Sequence, residues 1–301
     1  MADQERPRLY GLIGHPVRDS LSPFIMNRAI EEFGIYAEYA LFDAPGDRFD
    51  EAARSLRAMG IAGVNVTYPY KERILPHTDR RSPAVGVIGA ANTVTVRPDC
   101  VEADNTDAEG AARALEDIGG IALAGRKAVI LGIGGSGRAA AYGILGKGAA
   151  RVVFAARDPM KSAPAVERLR KAFPKAAVES VRVRGDEDRL ARSVADAEII
   201  INATPVGMSG LDGTTGASET AALIDGSLIE EGHFCLDFVY HPRATAFLVA
   251  AARRGARSLD GLSLLVSQAR STFRLWTGME FSLETMYEEV VQHARHVYDG
   301  E

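Results

Sequence analysis

Short apolar runs alternate with helical stripes along most of the chain. Residues 9–13 are an apolar run closed by Gly14, the pattern of a buried strand. Ser22-Pro23 then opens a helix, with Ser22 as N-cap and Pro23 at the first helical position. Ile25, Met26, Ala29, Ile30 and Phe33 give that helix its apolar stripe, and Gly34 ends it. Residues 36–42 read as a second strand and 49–59 as a helix stopped by Gly60. Val64, Val66 and Tyr68 continue as a third strand, and residues 92–96 as a further one.

A second unit begins near Asp107. Thr106-Asp107-Ala108-Glu109 has capping-box spacing and predicts a helix running to about residue 118. Strands are expected over 127–131, 151–155, 198–201 and 234–238, and helices over 138–145, 159–173 and 244–254. Strand–helix alternation with continuously apolar strands is the doubly wound signature. After Gly261 two long helical stretches, 262–276 and 283–297, follow with no strand between them. The pattern therefore predicts an α/β fold of two domains. Residues 1–106 with 262–301 form an N-terminal α/β domain to which the C-terminal helices return, and 107–261 form a Rossmann-like dinucleotide-binding domain. Residues 212–217 are expected to be a mobile loop.

The chemistry is most legible at Gly132-Ile133-Gly134-Gly135-Ser136-Gly137, which follows a strand and precedes a helix. Glycines at this spacing let the backbone approach a pyrophosphate, and the helix N-terminus offers free N–H groups. One strand later, Arg157 and Asp158 stand where the adenosine ribose is read. A carboxylate there repels a 2′-phosphate and favours NAD, while Arg157 would suit NADP. Asp158 before Pro159 is equally well placed as a helix N-cap.

Composition narrows the function without choosing it. The 301 residues carry a net charge of −5, which argues against nucleic acid as a partner. No apolar run approaches the roughly 18 residues of a membrane span, and the charged N-terminus lacks a signal-peptide core, so a cytoplasmic protein is expected. Cys100 and Cys235 are the only cysteines and read as core thiols. No metal site is indicated, and monomer and homodimer both stay open.

Several polar residues stand at strand ends, where open sheets bind ligands: Ser20, Ser22, Thr67, Lys71, Asn92 and Asp107. The segments that hold them resemble the shikimate dehydrogenase family. They are residues 14–23 (GHPVRDSLSP), 65–71 (NVTYPYK), 89–93 (GAANT) and 104–107 (DNTD). The second half adds residues 201–208 (INATPVGM), 237–240 (DFVY), Gln268 and 275–278 (LWTG). The similarity runs in order over residues 8–297.

The resemblance implies reversible oxidation of shikimate to 3-dehydroshikimate, or of quinate to 3-dehydroquinate. Lys71 and Asp107 would be the catalytic pair. Lys71 follows Pro69, which puts it in a first helical turn, and Asp107 sits in another. Ser20 and Ser22 would bind the substrate carboxylate, and Thr67, Asn92, Thr106 and Gln268 its ring hydroxyls. Tyr240 would lie near substrate and nicotinamide. Gly132, Gly134, Gly135, Ser136, Gly137, Arg157, Asp158 and Thr204 would hold the dinucleotide, NAD being favoured and NADP the alternative. The first half would then be the substrate-binding and catalytic domain. Trp276 and Met279 read as core. Two positions depart from the family pattern: Asp19 replaces the usual His, and Ala156-Arg157-Asp158 replaces an Asn-Arg-Thr suited to NADP. Asp19 leaves room for an amino-substituted shikimate as substrate. A non-catalytic sensor would be expected to lose Lys71 or Asp107, and both are present.

Overall fold

The computed structural model describes residues 6–208 and 224–299. The loop expected over 212–217 lies outside them. The chain divides into two compact units, Met1–Thr106 with Gln268–Glu301, and Asp107–Ser267.

The first unit holds six strands: β1 (Arg8–Gly14), β2 (Ala37–Asp43), β3 (Ile61–Val66), β4 (Arg80–Arg81), β5 (Thr93–Val96) and β6 (Val101–Asp104). They form one sheet in the order β2-β1-β3-β5-β6-β4. β1 runs parallel to β2 and β3, whereas β5 is antiparallel to both β3 and β6. The sheet is thus mixed rather than doubly wound throughout. The reason is local: four residues (97–100) join β5 to β6, enough for a hairpin and too few for a crossover helix. Ile13, Val64, Val66, Ile74, Val85 and Val94 pack into its core with Phe49 and Tyr70.

Helices α1 (Ser22–Glu32), α2 (Phe49–Ser55) and α3 (Pro83–Ile88) belong to this unit, as do the last turns of α9 (Gly261–Thr277) and all of α10 (Leu283–Ala294). α1 and α10 are joined by Arg28 on Glu289 at 3.0 Å and by Phe24 stacked on His293 at 3.9 Å. Ser22 is not the N-cap of α1. Leu21 is, and Ser22 is already helical, because the Ser20 hydroxyl accepts the Ser22 N–H at 3.2 Å. α2 also stops earlier than the pattern predicts, and turns carry the chain on to Gly60.

The second unit is a six-stranded, wholly parallel sheet in the order β12-β11-β10-β7-β8-β9. Its strands are β7 (Lys127–Leu131), β8 (Arg151–Ala156), β9 (Ala177–Arg182), β10 (Ile199–Asn202), β11 (Phe234–Asp237) and β12 (Arg257–Leu259). Helices α4 (Thr106–Arg113), α5 (Gly135–Gly146), α6 (Pro159–Ala172), α7 (Glu187–Ala195) and α8 (Ala246–Arg253) connect or flank them. Val129, Leu131, Val153, Ile200 and Cys235 lie at the centre of its core with Phe247 and Leu248. Both cysteines are buried thiols, as expected, and burial pushes Cys235 up to about 12. Met279 is instead 43% exposed, on the turn after α9, while Trp276 stacks on Tyr10 at 4.6 Å. None of the described helices is long and apolar enough to cross a membrane.

Candidate active site

In the first unit, polar side chains gather at one end of the sheet. β1, β3 and β6 finish there and the antiparallel β5 begins there. Asn92 is the hub. Its Oδ1 accepts the Thr106 N–H at 2.7 Å, and its Nδ2 donates to Thr106 Oγ1 at 2.9 Å and to Gln268 Oε1 at 3.3 Å. Asn92, Thr106 and Gln268 are therefore one buried cluster. Thr106 is the first residue of α4, and Glu109 pairs with Arg113 at 2.8 Å.

The cluster extends through residues that sequence reasoning did not single out. Thr93 and Thr272 hydroxyls meet Thr106 at 3.1 and 2.9 Å. Asn65 Nδ2 donates to Thr272 at 3.1 Å, and Asn65 Oδ1 accepts the Tyr39 hydroxyl at 2.9 Å. Ser22 hydrogen-bonds Tyr39 in turn; burial pushes the Tyr39 phenol well up, with the Ser22 bond pulling the other way. The signal available was Asn65 itself, an amide between two apolar residues of a strand. A buried amide needs partners on both sides, which is what the network supplies.

Lys71 is carried by turns rather than by an α-helix. Residues 71–74 are turn residues leading into a short 3-10 turn, Leu75–His77. An X-Pro start after a strand opens a helix only if apolar periodicity follows, and Arg73 and Glu72 break it. The turn is clamped from outside. The Tyr70 hydroxyl donates to the Ala44 carbonyl at 2.6 Å and its ring stacks on Phe49 at 3.9 Å. Arg73 grips both oxygens of Asp50, at 3.1 and 2.5 Å. The Lys71 carbonyl accepts the Ala91 N–H at 2.7 Å, which ties the turn to the segment ending in Asn92. Thr67 follows β3 directly, its N–H bonded to Ile13 at 3.0 Å. Ser20 is half-buried and its hydroxyl is used by the α1 start. Asp19 is exposed, and its carbonyl accepts the Tyr298 hydroxyl.

In the second unit, Asp107 is buried in the first turn of α4. The glycine loop closes β7 onto α5, and the helix begins at Gly135, three residues before the expected 138. Gly134 is its N-cap, so Gly135, Ser136 and Gly137 form the first turn of the helix. Gly132 has φ +93°, and a Cβ there would lie 2.6 Å from Thr204 Cγ2. A Cβ on Gly137 would lie 2.2 Å from the Gly132 carbonyl oxygen, whereas one on Gly134 would meet nothing within 4 Å. The loop is packed tight behind and open at Gly134, which suits the pyrophosphate of a dinucleotide. Asp158 does cap α6, its Oδ1 accepting Met160 and Lys161 N–H groups at 3.1 and 3.5 Å. Arg157 beside it is exposed.

A buried carboxylate, Asp237, joins the loops after β10 and β11. Burial pushes it up from 3.8 to about 6; hydrogen bonds from Thr245, Val239 and Asn202 pull it down, and the charge of Asp260 raises it further. The folded chain therefore holds this proton at higher pH than the unfolded chain. The stability so gained is complete below about pH 4 and is lost as pH rises through about 6. Two pH units correspond to about 3 kcal/mol. In urea unfolding, the parent is expected to lose about that much relative to Asp237→Asn between pH 4 and 7. A pH-independent difference would contradict the raised titration.

A tight glycine loop on the parallel sheet of one unit and a hydroxyl- and amide-lined cluster in the other are the features of a dinucleotide-dependent dehydrogenase. Residues 12–94 match the model of the shikimate dehydrogenase substrate binding domain. The chain is 36% identical to a shikimate dehydrogenase (NADP(+)) of Methanopyrus kandleri over 95% of both chains. Among solved structures it is similar to the Listeria monocytogenes shikimate 5-dehydrogenase in complex with shikimate and NAD (TM-score 0.81, 28% identity, 94% of this chain and 96% of that one). It is also similar to the Corynebacterium glutamicum quinate dehydrogenase in complex with NAD (TM-score 0.80, 30% identity, 95% and 99% covered). The chain belongs to the shikimate dehydrogenase family.

Proposed function

We propose that the chain catalyses the reversible NAD(P)-dependent oxidation of shikimate to 3-dehydroshikimate, of quinate to 3-dehydroquinate, or of both. The observation that carries this reading is the buried Asn92–Thr106–Gln268 cluster at the end of the sheet that also carries Ser22, Thr67 and Lys71. Hydroxyls and amides there match a ring bearing several hydroxyl groups, and Ser20 and Ser22 would take its carboxylate. The dinucleotide, when bound at Gly132–Gly137, supplies or accepts the hydride. Lys71 gives a proton from Nζ to the carbonyl oxygen during reduction and takes it back during oxidation. Asp107 is its acid–base partner, a buried carboxylate that holds a substrate hydroxyl. Thr204 would hold the dinucleotide, and Tyr240 would lie near substrate and nicotinamide. The test is a rate comparison of shikimate and quinate, each with NAD and with NADP. Absence of dinucleotide reduction in all four mixtures would overturn the reading.

For the dinucleotide itself, NAD is the favoured member and NADP the alternative. The support is Asp158: capping uses Oδ1, and Oδ2 has no partner among the described residues, so it is open to a ribose hydroxyl. The curated relative, which is named for NADP(+), points the other way, as does the exposed Arg157. Asp158→Ala is expected to weaken NAD about tenfold, the size of a lost charged hydrogen bond, and NADP by threefold at most. The cap loss costs about 1 kcal/mol of stability in either case. Equal weakening of NAD and NADP would leave Asp158 only its capping role.

A further inference from the structure

We propose that Asp237 is a positioning residue of the dinucleotide site, acting through Asn202 and Thr204 on the glycine loop and through Val239 on the segment leading to Tyr240. The proposal rests on the dinucleotide reading of residues 132–137.

Asp237 ends β11 and is 0% exposed. Asn202 ends the neighbouring β10 and is its register partner. Asn202 Nδ2 donates to Asp237 Oδ1 at 2.9 Å. That bond, the shorter of two made by Nδ2, which also donates to the Val206 carbonyl at 3.3 Å, sets which way the amide faces. With Nδ2 committed to the carboxylate, Asn202 Oδ1 is turned to Thr204, accepting its N–H at 3.1 Å and its hydroxyl at 2.8 Å. Thr204 Oγ1 also accepts the Val206 N–H at 3.3 Å. With the hydroxyl so fixed, the Thr204 methyl stands against Gly132, where it fills the place of a Cβ. The carboxylate thus fixes the wall behind the phosphate loop, two hydrogen bonds away.

The same Oδ1 accepts the Val239 N–H at 2.9 Å. The Val239 carbonyl in turn accepts the Gly261 N–H at 3.2 Å, so the chain before Tyr240 is held from both sides. Oδ2 accepts the Thr245 hydroxyl at 2.6 Å, and Thr245 caps α8 through the Leu248 N–H. A buried carboxylate is a costly way to hold a core together. Here its two oxygens order two loops at the carboxyl ends of adjacent parallel strands, the region where such sheets bind ligands. No apolar residue could orient the Asn202 amide.

The discriminating comparison is Asp237→Ala against Asp237→Asn. An asparagine can accept from Asn202 and Val239 through Oδ1 and donate to Thr245 through Nδ2, so it restores the geometry without the charge. Dissociation constants of NAD and NADP are measured by fluorescence titration at a temperature where each variant is folded by circular dichroism. Asp237→Ala is expected to weaken binding tenfold or more for whichever dinucleotide the parent binds, and Asp237→Asn by less than threefold. Asn202→Ala, which keeps Asp237 with Val239 and Thr245, is expected to match Asp237→Ala and serves if that variant does not fold. A purely structural role would lower thermal stability and leave the folded protein's dissociation constant alone. A change under threefold in folded Asp237→Ala or Asn202→Ala overturns the proposal, as does a loss in Asp237→Asn as large as in Asp237→Ala. A parent that binds neither dinucleotide removes the reading of the glycine loop instead.

Discussion

Lys71→Ala is expected to lower kcat by about two to four orders of magnitude, the usual contribution of a positioned acid–base group. That range corresponds to about 3–5.5 kcal/mol added to the barrier. The loss should fall on turnover, because the turn that carries Lys71 is held without its side chain. Tyr70 is bonded to Ala44, Arg73 is bonded to Asp50, and the Lys71 carbonyl, which alanine retains, accepts from Ala91. The variant should therefore fold, keep the Asn92–Thr106–Gln268 cluster and bind shikimate within a few-fold of the parent. Single-turnover absorbance of the dinucleotide, with either substrate at saturation, separates the chemical step from binding. An undiminished rate would remove Lys71 from the mechanism. A matching loss of shikimate affinity would make it a binding residue. The same assay disposes of the sensor reading, which requires a parent that binds and never turns over.

The residues that make this prediction possible were unevenly legible. The β7–loop–α5 unit could be read from a strand run followed by spaced glycines, because close backbone approach admits few other residues. Its helix start was read late, since glycine at Gly135 and Gly137 hides a first turn from propensity arguments. The antiparallel β6 was missed: Val101 to Asp104 carries only two apolar residues, and its strand character comes from pairing with β5. β4 and β12 are two and three residues long and exist only as additions to neighbours. The N-cap of α1 falls one residue before Ser22, on Leu21, because the Ser20 hydroxyl takes the Ser22 N–H. Around Asn92, Thr106 and Gln268, the hydroxyls of Tyr39, Thr93 and Thr272 were not legible as network members, since a hydroxyl in an apolar stretch reads the same whether it faces a network or a helix carbonyl. Asp237 was visible only as part of a motif. That it holds Asn202, 35 residues away, is a consequence of strand order alone.

Gly137→Ala should weaken dinucleotide binding about a hundredfold or more, or roughly 2.7 kcal/mol. The added methyl would stand 2.2 Å from the Gly132 carbonyl oxygen, and the obstacle is backbone, which cannot rotate aside. Gly132 cannot retreat either, because Thr204 Cγ2 fills the space next to it. Relief has to come from moving the start of α5 away from β7, which displaces the N–H groups that would face the pyrophosphate. Overpacking of this kind also costs about 1–3 kcal/mol of stability, so the melting temperature should fall. Gly134→Ala is the contrasting case in the same loop. Its methyl meets nothing within 4 Å, and its φ of −65° suits any residue, so thermal stability should stay near that of the parent. Yet the methyl would project from the N-cap of α5, where a bound phosphate would lie, and binding should weaken about tenfold. Melting curves and dinucleotide titrations on the two variants thus separate packing from recognition: one should lose both, the other recognition alone. Unchanged dinucleotide affinity in Gly137→Ala would mean that this loop is not the phosphate cradle, and full affinity in Gly134→Ala would place the phosphates away from the helix N-terminus.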